Sequence, residues 1–240
     1  MLLTAATITI VVLAAVLHRI SGMGFALIAM PMLIVLQGPV AGLQLGLVLG
    51  LLVCVIALVT CWRAVQARPS LLLSIPAVVT VPLGAWLAGL ISPPAQLLSL
   101  GILLGLLLLI SLRVRPAEQG RSSTSLTLTA GSVAGVVHVM SGLSAPVLAA
   151  YAIRTRWSQS AFVASAQVVF IVLNTGSLIA RRTPWSELRT GIMLVPALAI
   201  GVLVGARFAR KISADSARRL SVVIALAAAA LSIIKGVAGL

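Results

Sequence analysis

Acidic residues are nearly absent: three Asp and Glu stand against 17 Lys and Arg in 240 positions. The three, Glu118, Glu187 and Asp215, all fall at expected loops or helix ends, so no carboxylate is available within an apolar segment as a proton relay or cation site. That argues against sodium or proton coupling through Asp or Glu. Charge of either sign is also scarce, at 8% of residues, where soluble domains carry roughly 25%. A soluble fold is thereby excluded. Cysteine is limited to Cys54 and Cys61, seven apart on one apolar helix, where they cannot pair and match no metal motif. Both read as packing residues, and no cofactor motif accompanies them.

What fills the chain instead is hydrocarbon: 61% hydrophobic residues and a mean hydropathy of +1.22. Residues 40–62, 70–91, 95–112, 159–180, 188–208 and 220–234 reach or approach the roughly 20 residues that cross a bilayer core. Helices are expected, because lipid offers backbone N–H and C=O groups no partner and barrel strands would alternate in polarity. The first apolar segment has no basic stretch before it and no small-residue cleavage site, so it is expected to stay in the mature protein. A net charge of +14 raises the question of nucleic acid, yet the basic residues sit at segment ends rather than on one face, which fits membrane orientation better.

The chain also repeats itself. His18, Ser21 and Gly22 recur as His138, Ser141 and Gly142, 120 positions later; Pro76 recurs as Pro196, and Gly84-Ala85 as Gly205-Ala206. Ile91-Ser92 returns as Ile212-Ser213. Each half opens on an awkward length. As one helix, residues 2–36 would run roughly 50 Å, too long for one crossing and too short for two. Ser21, Gly22, Met23 and Gly24 interrupt the first opening, and Ser141 to Pro146 interrupt the second over 126–153, since Gly and Pro weaken a helix where they stand. Each opening therefore reads as a broken pair of short helices that dips in and returns.

If so, three crossings follow in each half and the halves are inverted. Twelve of the 17 basic residues then share one face, and Arg181, Arg182, Arg189 and Lys235 hold the other, with Arg19 at a tip. Were each opening a single crossing, the split would be nine to seven, leaving orientation poorly specified; two short full crossings per opening give the same twelve to four, so the count supports inversion and does not set the depth of the tips. The expected fold is thus an all-α integral membrane protein of two inverted structural repeats, each a broken or short-helix pair followed by three transmembrane helices. The first repeat covers 1–112, a cytoplasmic linker 113–125 and the second repeat 126–240, with both termini outside.

Discontinuous helices in inverted repeats are a known way to build a substrate site at mid-membrane. The second helix of each pair starts at Gly24-Phe25 and at Ser144-Ala145. Each start is expected to expose about four unpaired N–H groups and roughly half a positive charge, a binding place for a small anion. The candidate site comprises Ser21, Gly22, Met23, Gly24 and Phe25 with Ser141, Gly142, Leu143, Ser144 and Ala145. Serine hydroxyls and the imidazoles of His18 and His138 would add donors. Arg19 is either a site cation or an orientation charge at the interface. Gln167 and Asn174 share a helix face with Ser177, with Gln44 on the matching helix of the first half, as a pathway lining or as interhelical hydrogen bonds. Gly42, Gly46 and Gly50, with Gly101, Gly105, Gly201 and Gly205, read as places of close helix approach. Proton coupling through His18 or His138 remains open, because histidine titrates near neutral pH. Without coupling, an anion leaving an inside-negative cell still gains about 2.3 kcal/mol per charge at 100 mV, so export can run on voltage.

The order Ser21-Gly22-Met23-Gly24-Phe25, Met30-Pro31-Met32-Leu33, Gly38-Pro39 and Pro82-Leu83-Gly84 resembles the sulfite exporter TauE/SafE family of bacterial membrane transporters. In the second half, Ser141 to Pro146 before Tyr151 and the Gly201 to Gly205 segment agree with it. His18 and Arg19 depart from the glycine-rich opening common in that family. The resemblance implies a multi-pass protein of the bacterial inner membrane that moves sulfite, sulfonates or sulfoacetate, mostly outward, with the two tips as the anion's binding place. The expected partners are a small anion, the bilayer and a second copy of the chain as a homodimer; no nucleic acid, metal or cofactor is expected. Two other classes stand beside the transporter: a channel or packing subunit, and an intramembrane serine hydrolase using Ser141 with a histidine as base.

Overall fold

A computed structural model describes residues 2–21, 24–114, 123–208 and 214–239, all but short connections of which are helical. The first half contains α1 (Leu2–Ser21), α2 (Gly24–Gln37), α3 (Ala41–Cys61), α4 (Ala67–Gly89) and α5 (Pro93–Arg113). The second contains α6 (Thr124–Ser141), α7 (Ala145–Arg154), α8 (Gln159–Ala180), α9 (Trp185–Met193), α10 (Val195–Phe208) and α11 (Ala214–Ala238). Ends are marked locally: Ser123 and Ser158 accept the first-turn N–H groups of Leu126 and Ala161, and Pro93 opens α5. Most of the linker expected over 113–125, including Glu118, lies outside the described residues, as do Gly22 and Met23.

Among the described residues, five helices are long and apolar enough to cross a membrane, and the bent pair α9–α10 makes six. Large apolar side chains remain exposed on outward faces, as with Leu71, Ile75, Val79, Leu83 and Trp86 of α4 and Leu90 just beyond it. Their spacing of three to four residues is one helical stripe, suited to lipid rather than water. The chain is an all-α, multi-pass membrane protein.

Two details differ from the sequence reading. The opening pairs are unequal: α1, at 20 residues, is about 30 Å long and qualifies as a span, whereas α2 has 14 residues and α7 only 10. Only the second member of each pair is short. The segment read as one span over 188–208 bends by 42° at Leu194, two residues before Pro196, whose ring cannot donate to or pass the carbonyl of Ile192.

The halves interlock by exchange. Helix α4 of the first half packs on α6 of the second, and α10 of the second packs on α1 of the first. A Cβ placed on Gly84 would stand 2.9 Å from Cα of Val136; one on Gly205 would stand 3.0 Å from Cα of Val16, the residue 120 positions earlier. Between helices in lipid, where no hydrophobic force draws apolar faces together, such backbone approach is the main source of packing energy. Helices α3 and α8 form the central contact and run antiparallel: Gln44 at the start of α3 donates to the carbonyl of Arg181 just beyond α8, at 3.4 Å.

Candidate functional site

Two histidines occupy the ends of α1 and α6, and α2 and α7 restart beside them. His138 is fully engaged. Its Nδ1 lies 2.8 Å from Ser144 Oγ and its Nε2 lies 3.3 Å from Asn174 Oδ1. Asn174 Nδ2 donates to the Phe170 carbonyl at 2.7 Å, which leaves Oδ1 as the atom facing the ring. The proton therefore sits on Nε2, and Nδ1 accepts from the Ser144 hydroxyl. Phe170 stacks on the same imidazole, 6.4 Å between centroids.

His18 presents the opposite case. It is 5% exposed, yet neither Nδ1 nor Nε2 has a hydrogen-bond partner. Among the described residues, its one ring contact is the edge-on Phe25, at 6.4 Å. The cause lies in the duplicated sequence: 120 positions before Ser144 stands Gly24, and 120 before Asn174 stands Cys54. A glycine has no side chain to donate, and a thiol is a weak partner at best. Two unmade bonds on a buried ring are costly, about 1 to 3 kcal/mol per group, and so call for an explanation.

Two cavities meet at this ring. The larger, about 190 Å³, is lined by His18, Arg19, Val53, Thr60, Cys61, Val163, Gln167 and Val202. The smaller, about 20 Å³, is lined by His18, Phe25, Met30, Gly50, Cys54, His138, Ala145, Phe170 and Asn174, space for about one water. The first residues of α2 and α7, one from each half, thus border one chamber. That chamber is nearly filled; space for a small anion with its waters lies beyond His18, where Arg19 is exposed.

The other expected residues divide accordingly. Ser141 is 1% exposed and donates its hydroxyl to the Val137 carbonyl of its own helix at 2.8 Å, so it is committed and forms no pair with a histidine. Gly142 caps α6 at φ 72°, with its N–H on the His138 carbonyl at 2.6 Å. A Cβ there would also meet Met30 Sδ at 2.6 Å. Leu143 is fully buried in a cluster with Leu27, Met30, Leu43 and Leu47. These three shape the second tip from behind. Ser21 closes α1, and Gly24 opens α2 as a buried residue. At α7 the count of open N–H groups is smaller than expected, since Pro146 stands in the first turn and brings none, while Ser144 turns its hydroxyl to His138 instead of capping.

Gly50 carries more than a close-approach role: a Cβ there would fall 3.0 Å from Asn174 Oδ1, the atom that accepts from His138. Thr60 on the larger cavity was not singled out by sequence, and Cys61 beside it reads there as a packing residue; their position just before Arg63, at the end of α3, was the available signal. Among the described residues no group of His, Cys, Asp and Glu could hold a metal. The chain Ser144, His138, Asn174 has the connectivity of a nucleophile, base and orienter. Ser144 is 0% exposed, however, and the adjoining chamber leaves no space for a scissile group.

No curated protein and no solved structure matches the chain. Residues 7–232 match the model of the family described as sulfite exporter TauE/SafE, a family of transporters rather than enzymes, and the chain belongs to it.

Proposed function

We propose that the protein is a secondary transporter of the bacterial inner membrane that exports a small sulfur-containing anion, such as sulfite, a sulfonate or sulfoacetate, by alternating access. The observation that carries this reading is His18, a buried ring with two unmade hydrogen bonds on the wall between a larger, arginine-lined cavity and a nearly filled chamber. An oxyanion arriving past Arg19 supplies the acceptor that His18 lacks, and the start of α2 adds positive dipole on the far side of the ring.

The inverted arrangement, 1–112 against 126–240 about a cytoplasmic linker, is supported by the exchange of α4 and α10 between halves and by the antiparallel α3 and α8. Thr60 and Cys61 place the larger cavity at the end of α3, and the basic residues that follow α3 in sequence, Arg63 and Arg68, make that end the cytoplasmic one in this reading. In that reading the conformation faces inward, ready to load cargo for export. The inner chamber, with space for about one water, speaks against a standing channel.

Proteoliposomes holding the purified chain test this with labelled sulfite and sulfoacetate. Saturable flux, lowered about thirtyfold by His18→Ala, is expected. Linear flux without saturation points to a channel, and no flux of any sulfur oxyanion rejects the proposal.

A further inference from the structure

Arg181 stands where a second anion contact is needed. It follows α8 directly, 18 residues beyond Val163 on the cavity that holds Arg19. Those 18 residues span about 27 Å, close to the thickness of the hydrocarbon core, so the two arginines mark opposite ends of the α3–α8 pair. The guanidinium is half-buried. Its Nε donates to the Val139 carbonyl at 2.6 Å, near the end of α6, while Nη2 is buried and has no partner. Two further buried atoms without partners gather in the same stretch, Ser177 Oγ one turn earlier and Thr183 Oγ1 two residues later; Ser177 is 0% exposed.

The duplication makes this arrangement informative. At the offset of 120, Arg181 corresponds to Cys61 and Val139 corresponds to Arg19. In the first half the arginine stands on the opening helix, on the same cavity wall as Cys61 of α3. In the second half the arginine comes from the end of α8 and reaches Val139 on the opening helix. The two positions have swapped which member carries the charge, yet each end keeps one guanidinium. A residue that served only to orient the chain would have no reason to bury an N–H without an acceptor, where each unmade bond to a charged group is expensive.

We infer that Arg181, with Ser177 and Thr183, forms a second oxyanion site at the end of the pathway opposite Arg19, which receives the cargo as it leaves the histidine chamber. This rests on the transporter reading above. In this inward-facing conformation the Arg181 to Val139 bond ties α8 to the second tip; the anion takes the free Nη2–H on its way out.

The test measures sulfite flux in phosphatidylcholine proteoliposomes of sorted orientation, with half-saturation determined separately from each face, for wild type, Arg181→Gln, Arg181→Lys and Arg19→Gln. Arg181→Gln is expected to raise half-saturation about tenfold from its own face and to leave the opposite face within about twofold, the size of one lost charged hydrogen bond. Arg19→Gln should show the reverse, and Arg181→Lys should recover part of the loss by restoring charge. Thermal stabilisation of the detergent-solubilised chain by sulfite is a second readout, independent of flux. Wild type that carries sulfite while Arg181→Gln keeps wild-type half-saturation on both faces, or raises both equally, overturns this inference alone. Wild type that neither carries sulfite nor is stabilised by it overturns the transporter reading and this inference with it.

Discussion

The two tips of the molecule carry the same opening residues and do different things with them. His138 makes both of its hydrogen bonds, to Ser144 and Asn174, whereas His18 makes neither. The difference is not one of conformation, because the positions that would serve His18 hold Gly24 and Cys54. A duplicated motif has thus been divided. One copy is a satisfied network that holds α6, α7 and α8 together, and the other keeps its donors available beside Arg19 and an open cavity. In lipid, where unmade polar bonds find no water, only a ligand or trapped water justifies the second arrangement.

The comparison breaks most readily at the histidines themselves. Replacing His138 by Ala leaves the Ser144 hydroxyl and Asn174 Oδ1 buried without partners, and should lower stability by about 3 kcal/mol, read as a fall in melting temperature in detergent. His18→Ala removes two unsatisfied atoms instead, so melting should hold or rise while sulfite flux falls about thirtyfold, the worth of a hydrogen bond to a charged group. Equal melting losses for the two variants would erase the distinction between the tips.

Gly142→Ala is the next largest. Its φ of 72° and the nearness of Met30 Sδ oppose any Cβ, so a loss of about 2 kcal/mol is expected by denaturant or thermal titration. Cys54→Asn sharpens the comparison by giving His18 the partner that Asn174 gives His138. Flux should drop several-fold while stability rises by about 1 kcal/mol. Ser141→Ala should do least, under about 0.5 kcal/mol, because its hydroxyl only bonds back to the Val137 carbonyl and can be lost without stranding a partner from another helix.

Much of this was open to sequence reasoning. Apolar runs near 20 residues set out the spans, and α8 begins and ends at the residues expected, Gln159 and Ala180. The breaks at Ser21 and at Ser141 were legible because glycine and proline act locally. So was the pairing of His18 with His138, since polar residues in apolar runs stand out and a fixed offset links them. The division of labour was not legible. It depends on which residue of a distant helix faces each ring, and Asn174 is 36 positions from His138. Nothing in the local pattern distinguished Ser141, turned back on its own helix, from Ser144, turned to the histidine. Charge counting leaves open how far each tip reaches; α1 is long enough for a span, while α2 stops short, a difference the break alone does not set. Arg181 was read as an orientation charge, for its buried Nη2 is a property of packing and not of order along the chain.

The chain contains two histidines and no more, so ¹⁵N-histidine labelling yields spectra of two rings, assigned with His18→Gln. Titrating labelled protein in lipid with sulfite should move the ring nitrogens of His18 saturably and leave those of His138, held by Ser144 and Asn174, in place. A saturable shift confined to His138, or no shift of either ring at sulfite concentrations that saturate flux, would contradict the assignment of His18 as the group that meets the anion.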